Sequence, residues 1–277
     1  MTEQLLPISP ALSKYVANAV YFNHNSNSAF QFQMVPRIFT TLFFVIRKKQ
    51  DLKINLGGDI LDFNNNSVYA FGVGNLPAGF DVVNELEVIL VMLHPGISRI
   101  LFHDDANIFT NGRFDLTDMD QTNKNLNEKI GYATSLASKW QIIQEYLVKK
   151  LVVEIPDKFG RITGAIEILQ KSHGNISINS LSENVFTCRR NLHDLFLQFV
   201  GFSPKQYADI IRFNRFVKLY TQHFGSLSQI GYQCGYHDLS HLNKDFTRFV
   251  GTSPSAYFGT ALSADINNWC EIDYLAR

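Results

Sequence analysis

Two short stretches of the chain carry side chains suited to reading nucleic acid. Arg189, Arg190, Asn191, His193 and Asp194 occupy one, and Leu239, Ser240, Asn243, Lys244 and Asp245 occupy the other, 50 residues further on. Arg, Lys, Asn and Ser complement the donor and acceptor patterns that base pairs display in the major groove of DNA. In each stretch they are interleaved with apolar residues at helical spacing: Leu192, Leu195, Phe196 and Phe199 in the first, Leu242, Phe246 and Phe249 in the second. A helix with one apolar stripe buries that stripe and leaves the remaining side chains in solvent. The chemistry expected of these residues is hydrogen bonding and charge neutralisation, not bond making. The sequence has no glycine-rich phosphate loop, nucleophile elbow or Cys-x-x-Cys pair. The N-terminal histidines His24, His94 and His103 lack a His-x-His spacing with a following Glu. No catalytic residue, metal or cofactor is therefore expected, and no enzymatic activity.

The elements that must position these side chains are written twice. "NLHDLFLQFVGFSPKQY" from Asn191 and "HLNKDFTRFVGTSPSAY" from His241 are two versions of one phrase. Each helix runs to a glycine, Gly201 or Gly251, which suits the left-handed residue after a last turn. A Ser-Pro pair then restarts the chain as helix. A shorter helix is expected upstream of each. "SLSQIGYQCGY" opens with a capping box, Ser226 and Gln229, buries Ile230 and Cys234, and turns at Gly235. "SINSLSENVF" plays the same part, with Ser177 as cap. Helix, tight turn and second helix with an apolar back form a helix-turn-helix unit. Between the two units, Lys205 to Thr221 has helical periodicity through Tyr207, Ile210, Ile211, Asn214, Val217 and Leu219. Such a strut is about 25 Å long at ~1.5 Å per residue. With its flanking turns it could hold two reading helices near the ~34 Å between successive major grooves.

The rest of the chain sets the context. Of 277 residues, 45% are hydrophobic and 18% charged, the balance of a globular protein. No apolar run reaches membrane-spanning length, since "VILVMLHPG" stops at His94 and Pro95. "MTEQLLPISP" lacks the basic start and apolar core of a secretory signal, so a cytoplasmic location without membrane contact is expected. Cys188, Cys234 and Cys270 are read as reduced thiols. Net charge is zero, but eleven Lys and Arg stand against seven Asp and Glu between Asp157 and Leu262, which favours a polyanionic partner for that part. Residues 1–120 read mostly as short strands, including "RIFTTLFFVI", "DLKINLGGDILDF", "SVYAFGVGN" and "ELEVILVMLHPG". They suggest an antiparallel β sandwich or barrel. Phe43, Phe44 and Phe71 suit either its core or a ligand pocket. After "DMDQTNKNLN" the pattern is helical. Leu126, Ile130, Ala133, Ala137, Trp140, Gln144, Leu147 and Leu151 form a heptad seam, which packs on the strands of its own chain or joins two copies. The expected organisation is a strand-rich domain over 1–120, a helical linker over 121–156, a double helix-turn-helix domain over 157–262 and a tail over 263–277. The fold class is thus α+β in two domains.

The chain resembles the AraC/XylS-type bacterial transcription regulators. The resemblance rests on Arg190, Leu192, Phe196, Gly201, Ser203, Pro204 and Tyr207 in the first unit. In the second it rests on Ile230, Cys234, Gly235, Tyr236, Asp238, Ser240, Leu242, Phe246, Gly251, Ser253, Pro254 and Tyr257. "VYAFGVGNLPAGF" and "VMLHPGISRILF" look like parts of the cupin-like sensor domain of some members. The resemblance implies a homodimer that binds double-stranded DNA, with a small-molecule effector on the N-terminal domain and RNA polymerase as further partners. Two alternatives stand beside it: a cupin-like enzyme, or a ligand-independent dimerisation domain, fused to the DNA-binding module. Three positions depart from the family pattern. Asp194 stands where Arg is usual, Cys188 where Ser is usual, and Lys244 where Arg is usual. An aspartate can accept from cytosine N4 but cannot bond guanine acceptors or phosphate, and lysine keeps the charge while losing the bidentate fork.

Overall fold

Alternation, and the lack of it, sorts the strands. The computed structural model describes residues 2–25, 30–49, 53–82, 85–117, 121–151, 156–222 and 225–259. Among the described residues, ten strands form two antiparallel sheets. They are β1 (Thr2–Leu5), β2 (Val16–His24), β3 (Phe30–Met34), β4 (Thr41–Lys48), β5 (Lys53–Leu56), β6 (Asp59–Leu61), β7 (Ser67–Phe71), β8 (Ala78–Val82), β9 (Leu86–Leu93) and β10 (Arg113–Asp115). The large sheet has the order β1-β2-β9-β4-β7-β10, the small one β3-β8-β5-β6. Neither closes on itself, so of the two architectures expected the sandwich is the one formed. In "AGFDV" of β8 buried and half-buried residues alternate, as on a sheet with one covered face. By contrast, "LFFVI" of β4 and "VILVML" of β9 are buried at every position. A run without alternation needs cover on both faces, and both are covered.

One face of the large sheet meets the small sheet through Phe22, Phe43, Tyr69, Phe71, Val88 and Leu90 against Ile54, Phe80 and Val82. Phe44 points to the opposite face, with Leu42, Ile89 and Val91. That face is roofed by α1 (Ile97–Phe102), α2 (Gln121–Tyr132) and α3 (Leu136–Leu151). The continuous seam expected over 126–151 is therefore divided. Ser135 Oγ accepts from the Ser138 amide at 3.1 Å, capping a new helix and ending the heptad register at Ala133. Leu126, Ile130, Trp140, Ile143, Leu147 and Leu151 pack on the chain's own sheet. Trp140 Nε1 donates to the Pro7 carbonyl at 2.7 Å, and Gln144 Oε1 accepts from the Ser9 amide at 2.8 Å. The polar position of the seam thus tethers the chain's own N-terminal segment. Ala137, expected in the seam, is exposed.

The remaining elements are helical. They are α4 (Asp157–Lys171), α5 (Ile178–Asn184), α6 (Arg189–Phe199), α7 (Pro204–Thr221), α8 (Leu227–Gln233), α9 (Leu239–Val250) and α10 (Pro254–Gly259). Their apolar faces form one core, which also takes in Val35, Ile38 and Val73 from the strand-rich part. The expected strand over "RIFTTLFFVI" starts late. Arg37 makes only a single bridge with Gly74, and the ladder begins at Thr41, because residues 35–38 turn away to pack on the helices. The tail over 263–277 and Cys270 lie outside the described residues.

Candidate nucleic-acid interface

Each helix pair is set by local signals. Ser177 Oγ accepts from the Ser180 amide at the start of α5, and Ser226 with Gln229 closes a full capping box at the start of α8. Gly201 and Gly251 have φ of 93° and 79°, the left-handed region where a side chain is strained. A second capping box, Ser203 with Gln206, starts α7 at Pro204. The expected strut is thus a helix of 18 residues. It touches both α6 and α9 through aromatic rings. Phe196 of α6 lies 5.9 Å from Tyr207, and Phe246 of α9 lies 4.8 Å from Phe213. One rigid element holds both.

The side chains expected to face DNA mostly do face solvent. Leu192, Leu195, Phe196 and Phe199 are buried, while Arg189, Arg190, Asn191, His193 and Asp194 are exposed on α6. Ser240, Asn243 and Lys244 are exposed on α9, and Leu239 retains 43% of its surface. All sit in the N-terminal half of their helix, the end that enters the major groove in helix-turn-helix proteins. His193 Nδ1 lies 3.5 Å from Asp194 Oδ1, so the carboxylate has a neighbour of its own on the same face.

Asp245 is a correction. Expected on the free face of α9, it is buried, accepting from the Tyr236 hydroxyl at 3.1 Å and pairing with Arg248 at 3.3 Å. Desolvation raises the pKa of its carboxyl, and the Arg248 charge opposes that shift. The repeat register contained the signal: Asp245 occupies the place that Leu195 holds 50 residues earlier, on the inward stripe.

Around Asp245 lies a network that no local pattern announced. Asp209 Oδ1 of α7 receives Arg212 at 2.6 Å and Lys205 at 2.7 Å, while Arg248 of α9 reaches Asp209 Oδ2 at 3.8 Å. The Arg212 guanidinium also lies 5.2 Å from the centre of the Tyr236 ring. Asp209 and Arg212 are both buried, and together with Arg248 they join the strut to the second reading helix. The visible hint was two charges three residues apart in an otherwise apolar stretch.

The helices α6 and α9 begin differently. Asp238 caps α9, accepting from the His241 amide at 2.7 Å. Cys188 stands at the cap of α6 and its thiol makes no such bond. Cys188→Ser is expected to raise stability by about 1 kcal/mol, since a hydroxyl satisfies an amide that a thiol serves poorly. Urea titration of both proteins reads the change, and an unchanged midpoint would mean that the cap amides are already satisfied.

The strand-rich part meets the opposite ends of these helices. Thr110 Oγ1 donates to the Gly201 carbonyl at 3.0 Å, and Asn214 Nδ2 of α7 donates to the Pro36 carbonyl at 3.0 Å. A Cβ on Gly201 would lie 2.5 Å from Thr110 Oγ1, and one on Gly251 3.3 Å from Pro77 Cγ. Both glycine turns of the repeat therefore abut the strand-rich part, at the opposite ends of α6 and α9 from their exposed polar residues. Among the described residues, no His, Cys, Asp and Glu side chains gather in a group able to hold a metal, and no helix is long and apolar enough to cross a membrane.

Comparison with known proteins places this half of the chain. A family model described as a helix-turn-helix domain matches residues 181–260. The transcriptional regulator ArgR of Pseudomonas aeruginosa is 26% identical over 34% of this chain and 29% of its own. The lactose operon transcription activator of Staphylococcus xylosus is 27% identical over 42% of this chain and 46% of its own. The chain thus matches less than half the length of each of these relatives. Among solved structures, ToxT from Vibrio cholerae aligns over 87% of this chain and 97% of its own, at 13% identity and a TM-score of 0.46. A regulator with an AraC-type DNA-binding domain from Chromobacterium violaceum aligns over 37% of this chain and 92% of its own, at 25% identity and a TM-score of 0.35. Residues 181–260 of this chain are a helix-turn-helix domain of the AraC type.

Proposed function

We propose that the chain is a transcription regulator that binds double-stranded DNA by laying the N-terminal halves of α6 and α9 in successive major grooves. The observation that carries the reading is the pair of solvent-facing polar stripes held by one strut, α7, packed against both helices. Arg189, Arg190, His193 and Asp194 on the first helix and Leu239, Ser240, Asn243 and Lys244 on the second are the contacts proposed. A small-molecule effector acting through the N-terminal sheets and contact with RNA polymerase belong to the same reading. A homodimer would use a surface other than the α2–α3 positions, which are occupied within the chain. Footprinting of the purified chain on genomic fragments tests the whole. Absence of any protected site at low salt would remove it.

The two helices are expected to contribute unequally. Lys244→Ala should cost about 1–3 kcal/mol and relax specificity at one position, if Lys244 contacts a base edge. Asp194→Arg should strengthen binding to all sequences and steepen its salt dependence by about one unit, because a new phosphate contact releases a counterion. Site selection from a random pool at two salt concentrations reads both. Weaker binding of the Asp194→Arg chain to the natural site alone would show that Asp194 reads a base.

A further inference from the structure

The turn of each helix-turn-helix unit contains one left-handed residue. In the second unit it is Gly235, with φ of 88°, and the aromatic residue that follows, Tyr236, is buried with its hydroxyl on Asp245. In the first unit it is Phe186 itself, with φ of 51°, and this residue keeps 91% of its surface in solvent. The other described residues besides glycine with such a φ are Asn66, Asn111, His103 and His173, types that adopt it far more readily than a bulky apolar side chain does. Phe186 is therefore unfavourable twice over in the free chain, in its backbone and in an aromatic ring left in water.

Hydrogen bonds hold the turn that carries the ring. The Phe186 amide donates to the Glu183 carbonyl at 3.1 Å, and the Thr187 amide to the Ser182 carbonyl at 3.0 Å. Asn191 Nδ2, on the exposed stripe of α6, donates to Thr187 Oγ1 at 2.6 Å, which ties the turn to that stripe. Phe186 thus stands three residues before Arg189, at the end of α6 where Arg189, Arg190 and His193 are exposed. No other large apolar residue of α5 or α6 is exposed, so the ring does not belong to an apolar patch of the kind that a protein partner covers. A lone apolar side chain beside two arginines matches instead the edge of a major groove, where thymine presents a C5 methyl group among hydrogen-bonding atoms.

We propose that Phe186 is a specificity-determining residue of the first unit, its ring covering the C5 methyl group of a thymine at the edge of the groove that α6 enters. The inference rests on the regulator reading above and adds a base preference to it. Cytosine lacks the methyl group and would leave the ring in water, whereas the arginines of the same helix favour guanine. In the second unit the turn keeps its aromatic residue inside, and the apolar residue exposed at the helix start is Leu239. The two half-sites are therefore expected to differ, with a thymine opposite the turn required by the first unit alone.

The experiment uses the full-length chain and the duplex that it protects in footprinting. Each thymine of the protected site is replaced in turn by deoxyuridine, which keeps the base pair and removes the methyl group. At one position the replacement should weaken binding by about fourfold, the share of one buried methyl group. Phe186→Gly should weaken binding to the unmodified duplex by at least as much and be indifferent to the replacement at that position. Its thermal midpoint should rise by about 2 °C, since glycine adopts the left-handed φ freely. If no single replacement weakens binding of the unaltered chain, the role is overturned, and that result needs no variant to fold. A Phe186→Gly chain that stays sensitive at every position where the unaltered chain is sensitive would overturn it too. So would one that binds as tightly as the unaltered chain; if that variant then fails only in transcription, the ring serves a protein partner. A lowered midpoint would assign the ring to the fold instead. Absence of any footprint from the unaltered chain would remove the regulator reading itself, so the two failures are told apart.

Discussion

A chain carrying Trp140→Glu together with Leu147→Glu is expected to lose the folded structure of its strand-rich part. Both side chains are buried between α3 and the large sheet. Truncating the packing costs about 2–5 kcal/mol at Leu147 and 3–5 kcal/mol at Trp140. Each introduced carboxylate must also enter apolar surroundings without a partner, at several kcal/mol more. The Trp140 bond to the Pro7 carbonyl goes too. The total rivals the stability of most domains, about 5–15 kcal/mol. Loss of the near-ultraviolet circular dichroism signal, with the chain aggregated or expanded in sedimentation, is the expected result. A soluble, folded monomer would instead place these side chains between two copies of the chain.

Asp209→Ala is expected to cost about 3–5 kcal/mol, because Arg212 then stays buried with its charge uncompensated. The Lys205 pair adds little, since its ammonium is largely in water. Joint replacement by Asp209→Leu and Arg212→Met should recover most of the loss, as apolar residues often substitute for a buried pair at no cost. Urea titrations of the three proteins read both effects. If the single and the double replacement are equally destabilised, the aspartate acts through something other than Arg212. Because Arg248 of α9 also reaches Asp209, the single variant should also bind DNA more weakly than its stability loss alone explains.

What the sequence disclosed, and what it withheld, divides along contact range. The Ser226–Gln229 capping box, the left-handed glycines and the apolar stripes of α6 and α9 depend on residues within one or two helical turns, and each was legible; the Ser203–Gln206 box, masked by the Ser-Pro signal, was not read. So was the paired polar face, apart from Asp245, where reading the residue type outweighed its alignment with Leu195. The heptad spacing over 126–151 was real but its continuity was not, because a serine cap at Ser135 starts a new helix and the small side chains of Ala133 and Ala137 offer too little apolar surface to hold the register across it. The Asp209–Arg212–Arg248 cluster joins helices some 40 residues apart in sequence, and its members are unremarkable within their own helices. Arg37 lay hidden for a different reason: in an aromatic and β-branched run it read as one more strand residue, whereas packing on the helices draws that segment out of the ladder.

The unequal starts of α6 and α9 make the two helices differ in capping as well as in side chains. Asp238 closes the first turn of α9 before any partner arrives. At α6 the thiol of Cys188 leaves that task undone, in the very turn that carries Arg189 and Arg190. Free amides at a helix start are a ready seat for an anion, and on the proposed reading a DNA phosphate would be that anion. If α6 meets DNA as proposed, a phosphate there would supply the cap bond that Cys188 does not make. On the proposed reading, α9 would meet its groove with its first turn already capped, and α6 would gain its cap from the DNA.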